Sequence, residues 1–118
     1  MANPKSPVTT HVLDLARGRP APGVPVKLER ALPGGGWEEI GAASTDQDGR
    51  ALRLLPAGHA LKKGAYRITF DTAAYWTAMQ APGFYPFVAV SFRVDSEEEH
   101  YHVPLLLSPF GYSTYRGS

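Results

Sequence analysis

Imidazole, guanidinium and hydroxyl groups are the parts of this chain that could move a proton or hold an anion. They fall at His11, at Arg50, at His100 and His102, and in the segment Tyr115, Arg116, Gly117, Ser118. A neutral imidazole gives or takes a proton near neutral pH, so two of them can divide general acid and base work. Arg50 ends the turn Thr-Asp-Gln-Asp-Gly-Arg at 45–50; its plain reading is a solvated turn cation, and its functional one a planar fork for carbonyl or oxyanion oxygens. The His-x-His spacing sets two rings on one strand face, within reach of a single metal ion. No suitably placed carboxylate or thiolate completes a ligand set, and spacing alone is weak grounds, so no metal is assigned. Ser118 carries a hydroxyl, but no Ser-His-Asp order is visible, and positioning is its expected part. The segment 100–118 gathers aromatic, hydroxyl and cationic groups where small, dispensable residues are the norm, so it is expected to dock as part of a site.

The elements that must position these groups follow from alternation and turn signals. Strands are expected over 8–15, 24–32, 37–45, 51–55, 65–70, 87–94, 100–107 and 111–117, each bounded by Gly, Pro, Asp or Asn clusters or by the acidic run at 95–99. Asp71 offers an N-cap for a short helix over 72–79, which Pro82 and Gly83 close off. Period-two alternation puts Thr9, His11, Leu13 and Leu15 on one face of the first strand, with Val8, Thr10, Val12 and Asp14 on the other. The same rule puts His100, His102, Pro104 and Leu106 together, and Ser113 with Tyr115. The two rings therefore share faces with leucines, so partial burial outweighs the plain reading of a surface histidine. Eight short strands with one minor helix predict an all-β, antiparallel β-sandwich.

Length and composition bound the function. At 118 residues the chain is expected to form a single domain, 1–118, with residues 1–7 flexible. There are no cysteines, hence no disulfide or thiolate chemistry, which fits a reducing compartment. Twelve basic residues against eleven acidic ones, a formal charge of +1, give no electrostatic case for nucleic acid or an acidic membrane surface. No apolar run is long enough to span a bilayer, and the first ten residues lack the apolar stretch of a signal peptide, so a cytoplasmic protein is expected.

Several stretches taken together resemble the transthyretin-like family, and within it the 5-hydroxyisourate hydrolases of purine catabolism. They are TTHVLD at 9–14 with GRPAPGVPVKL after it, TDQDGR at 45–50, DTAAYWTAM before FYPFVAVSF, and HYHVPLLLSPFGYSTYRGS at 100–118. The first of these occur in many sandwich modules. YRGS is the discriminating motif, because the hydrolases carry it and the hormone-carrying transthyretins do not. Phe110 stands where a Tyr is common, and FYP at 84–86 where FFP is.

The resemblance implies a transthyretin-like (prealbumin-like) sandwich and a homotetramer, a dimer of dimers, with the site in a channel between dimers. It implies hydrolysis of the N1–C6 amide of 5-hydroxyisourate to 2-oxo-4-hydroxy-4-carboxy-5-ureidoimidazoline, with no cofactor. Residue by residue, His11, Arg50, His102 and Ser118 match catalytic positions, while His11, Arg50, Tyr115 and Arg116 match substrate-binding ones. His59 and His100 match none. Two readings compete: a non-enzymatic carrier of an aromatic hormone-like ligand, whose channel wants apolar walls, and a linker sandwich with no site.

Overall fold

The computed structural model describes residues 6–56 and 59–118. Of the expected flexible segment 1–7, the first five residues lie outside the described residues; Ser6 is buried, and its hydroxyl accepts from the amides of Val8 and Leu55 at 3.1 Å.

Among the described residues, nine strands and one helix follow in chain order: β1 (Val8–Asp14), β2 (Arg19–Pro20), β3 (Pro25–Ala31), β4 (Trp37–Ser44), β5 (Arg50–Ala51), β6 (Gly64–Phe70), α1 (Thr72–Ala78), β7 (Val88–Val94), β8 (Tyr101–Ser108) and β9 (Gly111–Thr114). One sheet runs β2-β1-β8-β9, with β5 pairing β1 beside β2; the other runs β4-β3-β6-β7. The expected antiparallel sandwich is thus mixed at one place, because β1 and β8 run parallel, from Val8 opposite Tyr101 to Asp14 opposite Leu107. The strand expected over 51–55 is only the two-residue β5. Leu54 and Leu55 turn into the core instead of extending the ladder, and Pro56 has no amide to offer it.

Alternation decides what β1 and β8 bury. Val8, Thr10 and Val12 on one strand and Val103, Leu105 and Leu107 on the other face the inter-sheet core, together with Leu28, Ile68, Phe70 and Val88 from the second sheet. Each fully buried aliphatic or aromatic side chain contributes roughly 1.5–3 kcal/mol. A one-residue slip between β1 and β8 would turn these side chains outward, so the core fixes the register. The opposite face of the same ladder, carrying Thr9, His11 and His102, is fixed by the same contacts.

Asp71 caps α1 as expected, its Oδ1 accepting from the Ala74 amide at 3.0 Å. The two-turn helix is held down by Tyr75 and Trp76, both buried. Tyr75 also donates its hydroxyl to Oδ2 of Asp14 at 2.6 Å, and the Asp14 carboxylate, fully buried at the end of β1, accepts from the Arg17 amide at 3.1 Å as well. Burial and the neighbouring carboxylate push the Tyr75 phenol up to about 12.

Tyr75→Phe strips a buried carboxylate of a donor and should cost about 1.5–3 kcal/mol in chemical denaturation near neutral pH. Because the folded-state pKa of Tyr75 lies above the ordinary value of 10.0, its contribution is complete below that value and is lost as pH rises toward 12. The difference between wild type and Tyr75→Phe should therefore narrow over that alkaline window. A gap that stays constant there would mean the phenol is not the titrating group.

Candidate active site

Thr9 and His102 stand directly opposite each other across the parallel ladder, and His11 stands opposite Pro104 on β8 and opposite Arg50 on β5. Paired residues project to the same side of a sheet. The outer face of the first sheet therefore collects Arg50, His11, Thr9, His102 and, two residues before His102, His100. Directly opposite Cβ atoms lie about 4.5–5.5 Å apart and diagonal ones about 7–8 Å, so Arg50 adjoins His11, and His102 is one diagonal step from His11.

Arg50 reaches this face through its turn. The Asp46 carboxylate accepts from the amides of Asp48 and Arg50 at 2.9 and 3.0 Å, and the Asp46 amide donates to the Arg50 carbonyl at 2.8 Å. Gly49 sits at φ 76°, its carbonyl accepting from the Val12 amide at 2.7 Å. A Cβ there would lie 2.4 Å from the Val12 carbonyl oxygen, so both the backbone angle and the close approach require glycine. The Arg50 guanidinium is exposed and only loosely paired, 3.8 Å from Asp48.

His11 is half-buried, and its Nε2 lies 2.8 Å from the Asp48 carbonyl oxygen. A carbonyl only accepts, so Nε2 carries the hydrogen in this bond and Nδ1 is left as the acceptor. His102, also half-buried, has its Nδ1 2.8 Å from the Thr9 hydroxyl.

Residues 115–118 fold back along β8. The β8–β9 register, Leu105 opposite Thr114, continues to a bridge between His102 and Gly117, whose amide donates to the His102 carbonyl at 2.8 Å. The imidazole packs over this glycine: a Cβ at Gly117 would sit 2.5 Å from Cδ2 of His102. Ser118 is thereby delivered to an open concavity of about 500 Å³, which it lines with Thr9, Arg50, Leu52, His100 and His102.

Of the expected site residues, Arg50, His102 and Ser118 meet at this concavity, and His11 shares its sheet face one register step away. Arg116 does not come there. Alternation past Thr114 turns it to the side of Tyr101 and Val103, where its guanidinium donates to Glu99 at 2.7 Å and lies 4.6 Å from the Tyr101 ring centre. Its place is that of a clasp holding 115–118 onto the start of β8, and the bond to Glu99 raises its pKa further. Tyr115 is exposed and lines a separate hollow with Phe92, Val103 and Arg116.

Thr9 was not singled out from the sequence and His100 matched no family position, yet both line the concavity; Thr9 is buried, and its hydroxyl lies 2.8 Å from Nε2 of His100 as well. The His-x-His spacing was the available signal, and its partner is a hydroxyl. Among the described residues, no three His, Cys, Asp or Glu side chains converge as a metal cage would.

Comparison with known proteins fits this geometry. A family model described as HIUase/Transthyretin family matches residues 8–117. A protein of Mus musculus named 5-hydroxyisourate hydrolase is 46% identical over 119 residues, covering the whole of both chains. A protein of Arabidopsis thaliana named uric acid degradation bifunctional protein TTL is 48% identical over 97% of this chain, which spans only 38% of that longer protein. Among solved structures, sea bream transthyretin in complex with thyroxine superposes with a TM-score of 0.88 at 35% identity, covering 95% of each chain. The 5-hydroxyisourate hydrolase of Klebsiella pneumoniae superposes at 0.81 with 33% identity, covering 94% of this chain and 97% of that one.

Gly117→Ala should displace the His102 ring while leaving the sandwich folded. In nitrogen-edited spectra the His102 side-chain signals should move, and the Gly117 amide position should lose hydrogen-exchange protection. Unchanged His102 signals would show that the close approach at Gly117 does not hold the ring.

Proposed function

The chain belongs to the HIUase/transthyretin family, and we propose that it is a 5-hydroxyisourate hydrolase. The observation that carries this reading is the convergence of Arg50, His102 and Ser118 on one concavity, with His11 beside it, in a chain that matches the mouse hydrolase from end to end. A transthyretin-type carrier shares the fold, but this face presents imidazoles and a guanidinium where a carrier of an aromatic molecule wants apolar walls with few polar anchors.

In the proposed reaction, Nε2 of His102 takes a proton from water as the water oxygen bonds to C6 of the substrate. The Arg50 guanidinium stabilises the oxyanion that forms on C6. His11, with Nε2 tied to the Asp48 carbonyl, uses Nδ1 to accept from a substrate N–H and orient the ring. The C6–N1 bond then breaks, and the His102 imidazolium returns its proton to N1, giving 2-oxo-4-hydroxy-4-carboxy-5-ureidoimidazoline. Ser118 positions substrate or water.

The proposed assembly is a homotetramer with this face turned inward against a second copy. Two features support it. The concavity is open in one chain, so water exclusion needs a partner, and the half-buried Leu13 and Leu106 with the exposed Leu15 give the same face an apolar border. A cytoplasmic location is supported by the lack of cysteine; among the described residues, no helix is long and apolar enough to cross a membrane.

The test is the ultraviolet-followed decay of 5-hydroxyisourate, freshly made from urate by urate oxidase. Wild type should accelerate the decay, in chelator as without it. His102→Ala should lower kcat/KM by about 10²–10⁴-fold, and Arg50→Ala by about 10²–10³-fold. Folded, assembled protein that leaves the spontaneous decay unchanged would rule the hydrolase out in favour of a carrier.

A further inference from the structure

The successive amides of Asp48, Gly49 and Arg50 are all donated to one residue. Those of Asp48 and Arg50 go to Oδ1 of Asp46, at 2.9 and 3.0 Å, and that of Gly49 goes to the Asp46 carbonyl, at 2.9 Å. A peptide unit is planar and trans, so its C=O points away from its N–H. With the Gly49 amide turned to Asp46, the Asp48 carbonyl of the same peptide faces the other way, where it meets Nε2 of His11 at 2.8 Å. With the Arg50 amide turned to Asp46, the Gly49 carbonyl also faces β1 and accepts from the Val12 amide at 2.7 Å.

We propose that Asp46 is a positioning residue for the site: by taking the N–H ends of these peptides, it aims the Asp48 carbonyl at the His11 ring and sets Arg50 opposite His11. The catalytic consequence rests on the hydrolase reading, whereas the aim of the carbonyl does not.

Two observations give Asp46 more than the ordinary work of an aspartate that closes its own turn. The first concerns His11. The last torsion of a histidine side chain is broad and two-fold, so the torsion itself does not choose which nitrogen faces which way. The Asp48 carbonyl makes that choice, because it accepts only from a nitrogen that carries hydrogen. The second concerns Arg50. Its strand, β5, has only two residues, so little ladder holds it; Asp46 grips it at both ends of the residue, Oδ1 taking its amide and the Asp46 amide donating to its carbonyl at 2.8 Å.

One carboxylate oxygen therefore serves both groups, and the turn cannot relax under Arg50 without also moving the peptide that holds His11. Asp46 is itself exposed and does not line the concavity, so it acts through these two neighbours. In the proposed reaction His11 orients the substrate ring and Arg50 meets the oxyanion, and a displacement of roughly 1 Å at such groups costs up to about 100-fold in rate.

The experiment is a nitrogen-edited side-chain spectrum of the full chain, without substrate and with His11 neutral, read beside steady-state kinetics. Wild type should show His11 with its hydrogen on Nε2, protected from exchange with water. In Asp46→Ala that protection should be lost and the hydrogen shared between the two ring nitrogens, while kcat/KM falls about 10- to 100-fold and the β1 amides stay protected. Asp46→Asn, whose amide oxygen accepts in the same place without the charge, should restore both the His11 signals and kcat/KM. The proposal is overturned if wild-type His11 carries no hydrogen on Nε2, if folded Asp46→Ala keeps either the His11 signals or kcat/KM at the wild-type value, or if Asp46→Asn is as impaired as Asp46→Ala. His11 signals that change as expected, in a protein that leaves the spontaneous decay of 5-hydroxyisourate unaltered, would uphold the positioning role and remove the hydrolase reading.

Discussion

The parallel pairing of β1 with β8 is the constraint on which the rest of this molecule depends. It joins residues about ninety positions apart in the chain, so it forms only after most of the sequence has been laid down between them, and closing so long a loop is entropically costly. What stabilises it is apolar burial on the inner face of the ladder. The outer face takes its geometry as a by-product: with Val12 and Leu105 buried as partners, Thr9 has no position available except opposite His102. The site is therefore as rigid as the core beneath it, although it sits on a surface.

Both edges of this pair are then used to bring in groups from elsewhere. On the β1 edge, the 45–50 turn adds a two-residue strand whose main effect is to set Arg50 beside His11. On the β8 edge, β9 and the bridge at Gly117 carry Ser118 back to His102. Glycine is required at the first delivery, where Gly49 meets backbone at a positive φ, and at the second the absence of a Cβ on Gly117 lets the His102 ring lie over it. Arg116, which the resemblance matched to a substrate-binding position, lies in this structure against Glu99 and the Tyr101 ring at the start of β8.

Alternation made the faces legible from sequence. The division of β1 into Thr9, His11 and Leu13 against Val8, Thr10 and Val12 needed only period two, and Asp71 announced the helix it caps. Pairing was not legible. Nothing in 8–15 or 100–107 says that these strands run parallel, or which residue meets which, because register is decided by the summed burial of the other face. Thr9 and its contact with His100 were missed for that reason: a threonine in a β-rich strand looks like strand propensity, and His-x-His looks like two ligands without a third. The resemblance to a family identified His11, Arg50, His102 and Ser118, but it said nothing of the hydroxyl that two rings share.

The fold leaves the choice between carrier and catalyst to a few side chains on one face. The same two sheets superpose on a transthyretin that holds thyroxine and on a hydrolase, with similar closeness, so architecture cannot decide function. What differs is what a buried face must satisfy. An apolar channel needs no partners for its walls, whereas imidazoles turned toward a dry interface need every nitrogen accounted for. Here the Asp48 carbonyl takes the Nε2 hydrogen of His11 and Thr9 engages Nδ1 of His102. A concavity lined by imidazoles, a guanidinium and hydroxyls favours polar, planar molecules rich in N–H and C=O groups over a largely apolar ring.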